Sequence, residues 1–132
     1  MMGIVLDLTK NIISLEQDNK ESLYWELWRG TKSSAKSRNL KFELNKEQHK
    51  QIILQNCYYC GDEPKIRNRK KFIENELRAN GVDRIDSSIG YILENCVPCC
   101  FTCNEMKWHH NVGDFLSHIE KIVEHCNLDD ND

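Results

Sequence analysis

Two groups of residues in this chain have the types and spacing for chemistry: paired thiols, and a carboxylate beside a guanidinium. Cys57-x-x-Cys60 and Cys100-x-x-Cys103 are separated by the 39 residues 61–99. Two residues between cysteines let both sulfurs of a pair face one ion, and two pairs supply four thiolates, which suit tetrahedral zinc at about 2.3 Å. A four-thiolate site has no open position, so it staples the fold and leaves catalysis to other groups. Cys100, rather than Cys99, has the right spacing to Cys103, and Cys96 and Cys126 are expected as small buried hydrophobes. Seven cysteines, an odd count, without a recognisable secretory leader, argue against a disulfide scaffold and for an intracellular protein.

Between the pairs runs "GVDRIDSSIGY", residues 81–91. Arg84 keeps its proton at any working pH, so it can hold a phosphate through two parallel hydrogen bonds but cannot activate water. Asp86 is read as the cap of the turn that follows, with Ser87 or Ser88 as its partner, and Gly90 as the glycine that turns the chain.

The elements that must position these residues are short. Leu23, Tyr24, Leu27 and Trp28 fall at helical spacing on a helix over 20–37, capped by Asp18 or Asn19. "LKFEL" (40–44) alternates and predicts a strand. Asn45 with Gln48 forms a capping signature for a helix over 46–55 whose Ile52 and Ile53 face the core with Leu44, while His49 reads as a surface or half-buried histidine. The basic "KIRNRKK" (65–71) reads as a loop, and 72–80 as a helix or an extended arm. A helix is expected to start inside "CCFTCNEMKWHH", and Asp114 to cap a last helix over 114–125 with Phe115, Ile119 and Ile122 on one side. The tail "DDND" reads as disordered.

The net charge of −3 hides an asymmetry. Residues 20–72 carry 13 Lys/Arg against 6 Asp/Glu, and residues 73–132 carry 4 against 12. A basic half suggests an anionic partner such as nucleic acid, and an acidic half fits a hard cation with oxygen ligands. No apolar run is long enough to span a membrane.

"CYYCG", "GVDRIDSSIGY" and "ENCVPCCFTCNEMK" together resemble the HNH endonucleases, the His-Me finger or ββα-metal group, over roughly residues 29–125. The resemblance implies an α+β fold: a small zinc-stapled ββα-metal core over 57–125, with flanking helices. Residues 20–56 would form a helical basic part, 1–19 an N-terminal extension and 126–132 an acidic tail of one domain. It implies a metal-dependent DNA endonuclease with structural zinc on Cys57, Cys60, Cys100 and Cys103. Asp83 and Asn104 would hold a catalytic Mg²⁺ or Mn²⁺, Asn95 would tie the loop, and Lys107 would pack or contact phosphate.

Arg84 departs from the family pattern, which has the general-base histidine there. A branch of the family that includes a rare-cutting restriction enzyme shares "GVDR" followed by a "GY" turn, with a tyrosine in the histidine's stead, and Tyr91 stands at the matching place. His109 or His110 are the other candidates for the base. The basic segment 65–71 with Lys32, Lys36, Arg38 and Lys41 would contact DNA backbone. Trp25 and Trp28 serve either core packing or a homodimer interface. The competing readings are a catalytically inactive zinc-stapled nucleic-acid-binding module, which Arg84 favours, and a zinc-dependent protein-interaction module, which the basic half disfavours.

Overall fold

The computed structural model describes residues 2–127, with side chains from Lys20 onward. Five helices and a two-stranded sheet make up the described chain: α1 (Met2–Ser37), α2 (Lys46–Ile53), α3 (Lys70–Glu74), β1 (Gly81–Arg84), β2 (Cys96–Cys99), α4 (Phe101–Lys107) and α5 (Val112–Cys126). A single turn of 3₁₀ helix, Leu93–Asn95, leads into β2. α1 begins well before Lys20, so Asp18 and Asn19 lie inside a helix rather than capping one. It ends where Asn39 takes φ +57°, which lets Leu40 N–H donate to Ala35 O at 2.8 Å. Asparagine tolerates that left-handed turn and the bond satisfies a terminal carbonyl.

The capping box at α2 is present in full: the Asn45 side chain accepts from Gln48 N and the Gln48 side chain accepts from Asn45 N. The helix stops at Ile53, and Leu44, Ile52 and Ile53 are buried as expected. "LKFEL" is no strand. Its one ladder contact is an isolated bridge between Phe42 and Tyr91, because no neighbouring strand runs alongside it. The basic segment is not a plain loop either: Ile66 bridges to Arg78, and Lys70 and Lys71 open α3.

β1 and β2 pair antiparallel, with Asp83 opposite Val97 and Arg84 opposite Cys96. Three apolar clusters support this hairpin. Ala35, Leu44, Ile52, Tyr91 and Cys96 join α1 and α2 to the sheet. Leu23, Phe72 and Leu77 anchor α3 to α1. Cys57, Cys99 and Cys103 form the third, with Tyr59 and Cys100 packed against it. Burying a ring such as Phe72, 1% exposed, contributes on the order of 2–3 kcal/mol.

α5 begins after Asn111 rather than at Asp114, which lies within its first turn. Phe115 is its buried residue; Ile122 is exposed, so the apolar side is narrower than its spacing suggests. Cys126 is exposed, unlike the buried Cys96. The expectation for "DDND" falls outside the described residues. No described helix is long and apolar enough to cross a membrane.

Candidate active site

The four cysteines converge. The Sγ atoms of Cys57, Cys60, Cys100 and Cys103 all lie within 4.8 Å of one another, and Cys60 Sγ is 3.7 Å from Cys100 Sγ. A tetrahedron with bonds of about 2.3 Å places its sulfurs about 3.8 Å apart, so the cluster fits zinc. Backbone N–H groups already face the sulfurs: Cys100 N lies 3.3 Å from Cys57 Sγ, and Cys103 N 3.4 Å from Cys100 Sγ. Burial opposes the Cys57 thiolate, but N–H groups of Cys60, Cys100 and Tyr59 outweigh it and bring the thiol down to about 6. Gly61, at φ +80°, turns the first knuckle.

Asp83 is buried on β1, 7% exposed, and both of its oxygens have partners. Tyr59 Oη donates to Oδ2 at 2.6 Å. Lys107 Nζ lies 3.1 Å from Oδ2 and 3.4 Å from Oδ1, and donates to Arg84 O at 3.0 Å. Burial, reinforced by the Asp83 carboxylate, pushes the Tyr59 phenol far above its ordinary value, so it remains a donor. Lys107 is thus neither simple packing nor a free phosphate contact: at 1% exposure it is the buried counter-ion of Asp83. Its spacing of four from Cys103 puts both on the buried face of α4, and that spacing was the available signal.

Arg84 is 9% exposed and donates through Nη1 to the carbonyls of Ser87 and Ile89. Its guanidinium carbon is 5.4 Å from the centre of the Tyr91 ring. Tyr91 is buried in the first cluster, and Arg38 Nη2 donates to its hydroxyl oxygen at 2.7 Å. Asn95 holds the 86–90 loop: its Oδ1 accepts from Asp86 N at 2.9 Å, and its Nδ2 donates to the carbonyls of Asp86 and Gly90, each at 3.0 Å. Asp86 caps the turn through Ser88 N and Ser88 Oγ.

Gly90 has a different task from the one its place in a turn suggests. A Cβ there would sit 2.6 Å from Lys41 O and 2.9 Å from Lys41 N. The residue admits a close approach of two backbones, sealed by Tyr91 N–H donating to Lys41 O at 2.7 Å and Glu43 N–H to Tyr91 O at 2.8 Å.

One cleft of about 590 Å³ unites these parts. Asp83, Arg84, Tyr91 and Asn104 line it, with Trp108 and His109 after α4. Arg38, just after α1, and Arg67 and Arg69 of the basic segment line it, whereas Lys32, Lys36 and Lys41 do not. Asn95 and His110 are not among the lining residues. Lys71 is committed to Glu26 at 2.7 Å, and Lys32 lies over the Trp28 ring. Trp28 itself is half-buried, with Nε1 donating to Leu44 O at 2.8 Å, so it packs the core, while Trp25 is 44% exposed.

His49 also lines the cleft and is fully buried at 1% exposure, not a surface residue. Its Nε2 lies 2.9 Å from Thr31 Oγ1, which itself donates to Leu27 O, so Nε2 carries the proton. Nδ1 is buried without a hydrogen-bond partner. Burial, with the nearby Arg67 charge second, lowers the ring to about 4.

Sequence reasoning missed Tyr59 and the Arg38–Tyr91 contact. Tyr59 sits between the two cysteines of a knuckle, where nothing local shows which way its ring turns.

No family model matches the chain. Over 85 residues, 64% of its length, it is 40% identical to the uncharacterized protein R423 of Acanthamoeba polyphaga mimivirus, of which the match spans 14%. The fold is similar to that of the rare-cutting HNH restriction endonuclease PacI, with a TM-score of 0.55 at 21% identity, covering 76% of this chain and 77% of that one. The likeness shows an HNH-type fold: a two-stranded sheet and helix carrying a four-cysteine cluster placed to hold a metal ion.

Proposed function

We propose that the protein is a metal-dependent endonuclease that hydrolyses phosphodiester bonds in DNA, with zinc at the four cysteines as its structural staple. The observation that carries this reading is the meeting of Asp83 and Asn104 in one cleft with Arg38, Arg67, Arg69 and Arg84. A carboxylate and an amide oxygen suit a hard cation, and arginines suit the phosphates on either side of a scissile bond. A bound Mg²⁺ or Mn²⁺ would supply charge relief at the leaving oxygen.

The chain's own groups divide the rest of the work. Tyr59 and Lys107 fix the Asp83 carboxylate, which with Asn104 would hold the cation. Arg84 spends Nη1 on the loop and keeps its other N–H groups for the scissile phosphate. Tyr91, whose hydroxyl accepts from Arg38, matches the tyrosine that stands in for the family's histidine and would handle the proton of the attacking water, with His109 the second candidate. Asn95 positions the loop without touching substrate.

A second reading, a catalytically inactive zinc-stapled module that binds nucleic acid, is favoured by one observation: both Asp83 oxygens and the Arg84 Nη1 already have protein partners. Plasmid incubated with Mg²⁺ or Mn²⁺ separates the two. Cleavage by the wild type and not by Asp83→Ala supports the endonuclease. Binding of the plasmid without cleavage by either protein supports the module.

A further inference from the structure

Trp108 closes α4 in a conformation that a bulky side chain rarely adopts, with φ +49° and ψ −119°. Such a backbone is strained and persists where surroundings or function demand it. The residue is 68% exposed and lines the cleft with Asn104, and its backbone N–H donates to Asn104 O at 3.0 Å. The His109 ring stands behind it at 4.5 Å between centroids. Among the described residues its ring contacts are with the neighbouring His109 and His110, which leave most of the indole open to the cleft.

Charge narrows what the ring meets. The cleft's arginines come from the end of α1, the basic segment before α3, and β1. α4 contributes no exposed cation: Lys107 is buried, and Glu105 is an exposed acid. That surface is unsuited to phosphate but suited to the flat, uncharged faces of bases. Aromatic rings beside a cationic groove stack on bases without regard to sequence, since every base has a π-face.

We propose that Trp108, backed by His109, is a stacking platform for a nucleobase drawn out of the duplex stack next to the scissile phosphate. The inference rests on the DNA-cutting reading and adds to it a preference for unpaired or distorted sites.

The test uses the full chain with zinc and no added Mg²⁺ or Mn²⁺, and two labelled duplexes that differ only in one 2-aminopurine, paired or unpaired. Wild type is expected to bind the unpaired duplex about tenfold more tightly and to quench its emission, as one base–aromatic stack would produce. Trp108→Ala should lose both the preference and the quenching, and Trp108→Phe should keep most of each. Because the indole is exposed, both variants are expected to fold, and an unchanged thermal midpoint verifies it. Equal preference and quenching in Trp108→Ala and wild type would overturn the platform. Wild type binding both duplexes alike would overturn it too, while leaving the endonuclease reading standing. Wild type binding neither duplex would bring down the DNA reading itself.

Discussion

Tyr59 donates its hydroxyl to Asp83 Oδ2 at 2.6 Å, so a residue inside the first cysteine knuckle holds the carboxylate proposed to bind the catalytic cation. The staple and the cleft are therefore mechanically joined. Partners that orient a metal-binding carboxylate typically matter 10–100-fold for metal affinity or activity. Tyr59→Phe keeps the ring against Phe115 and removes only the donor. The expected result is roughly a tenfold or greater rise in the Mg²⁺ needed for half-maximal cleavage, with zinc content unchanged. A Mg²⁺ titration that superimposes on wild type would show the bond to be idle.

Lys107 and Asp83 form a buried ion pair at 3.1 Å. Removing one partner leaves the other charged and desolvated, which costs roughly 3–5 kcal/mol. Lys107→Met should lower the urea midpoint accordingly. The double variant with Asp83→Asn should lose less than the sum of the singles, because neither charge is then stranded. Additive losses would mean that the pair does not couple.

Gly90→Ala should destabilise by about 1–3 kcal/mol, since the methyl would meet the Lys41 backbone, which cannot swing aside as a side chain can. The same clash would pull Tyr91 from Lys41, so cleavage should fall further than the thermal midpoint implies. Gly30, with nothing within 4 Å of a Cβ, is the control: alanine there should stabilise α1 slightly.

Local rules were enough for part of this architecture. The cysteine spacings and the Asn45–Gln48 box are set by residues within one turn of each other, and both are present. Where distant partners decide, the sequence is mute or misleading. Alternation in "LKFEL" promises a strand, but a strand needs a neighbour, and Phe42 meets Tyr91 alone. Asn111 precedes α5 but its Oδ1 is taken by Ser87 N and Ser87 Oγ, so the helix start has no side-chain cap to betray it. The partners of Asp83 come from the first knuckle and from α4, on either side of it in the chain. A motif can name the carboxylate; only the fold can name what holds it.

Cys57→Ser should cost zinc and cooperative folding together. Cys57 and Cys103 are the buried half of the cluster and share it with Cys99. The staple joins the segment after α2 to the start of α4, which are distant in the chain. Metal released by the variant can be measured with a chromophoric chelator, and a sharp thermal transition surviving its loss would show that the thiols are not a staple.

His49 gives the protein an acid-side liability that can be worked out in sign. Burial lowers its folded value to about 4, against about 6.5 for a free histidine. Between those values the unfolded chain binds a proton that the folded one refuses, so stability falls as pH drops through that window and is fully present above it. The contribution is on the order of 2–3 kcal/mol between pH 7.5 and 4. Zinc release on acidification acts in the same direction, so the comparison must be between wild type and His49→Asn, which share the four cysteines. Urea unfolding at pH 7.5, 6.0 and 5.0 should show the wild type losing stability faster than the variant as the proton arrives. Parallel curves would mean that the ring takes up its proton in the folded state, with its Nδ1 free to reach the cleft.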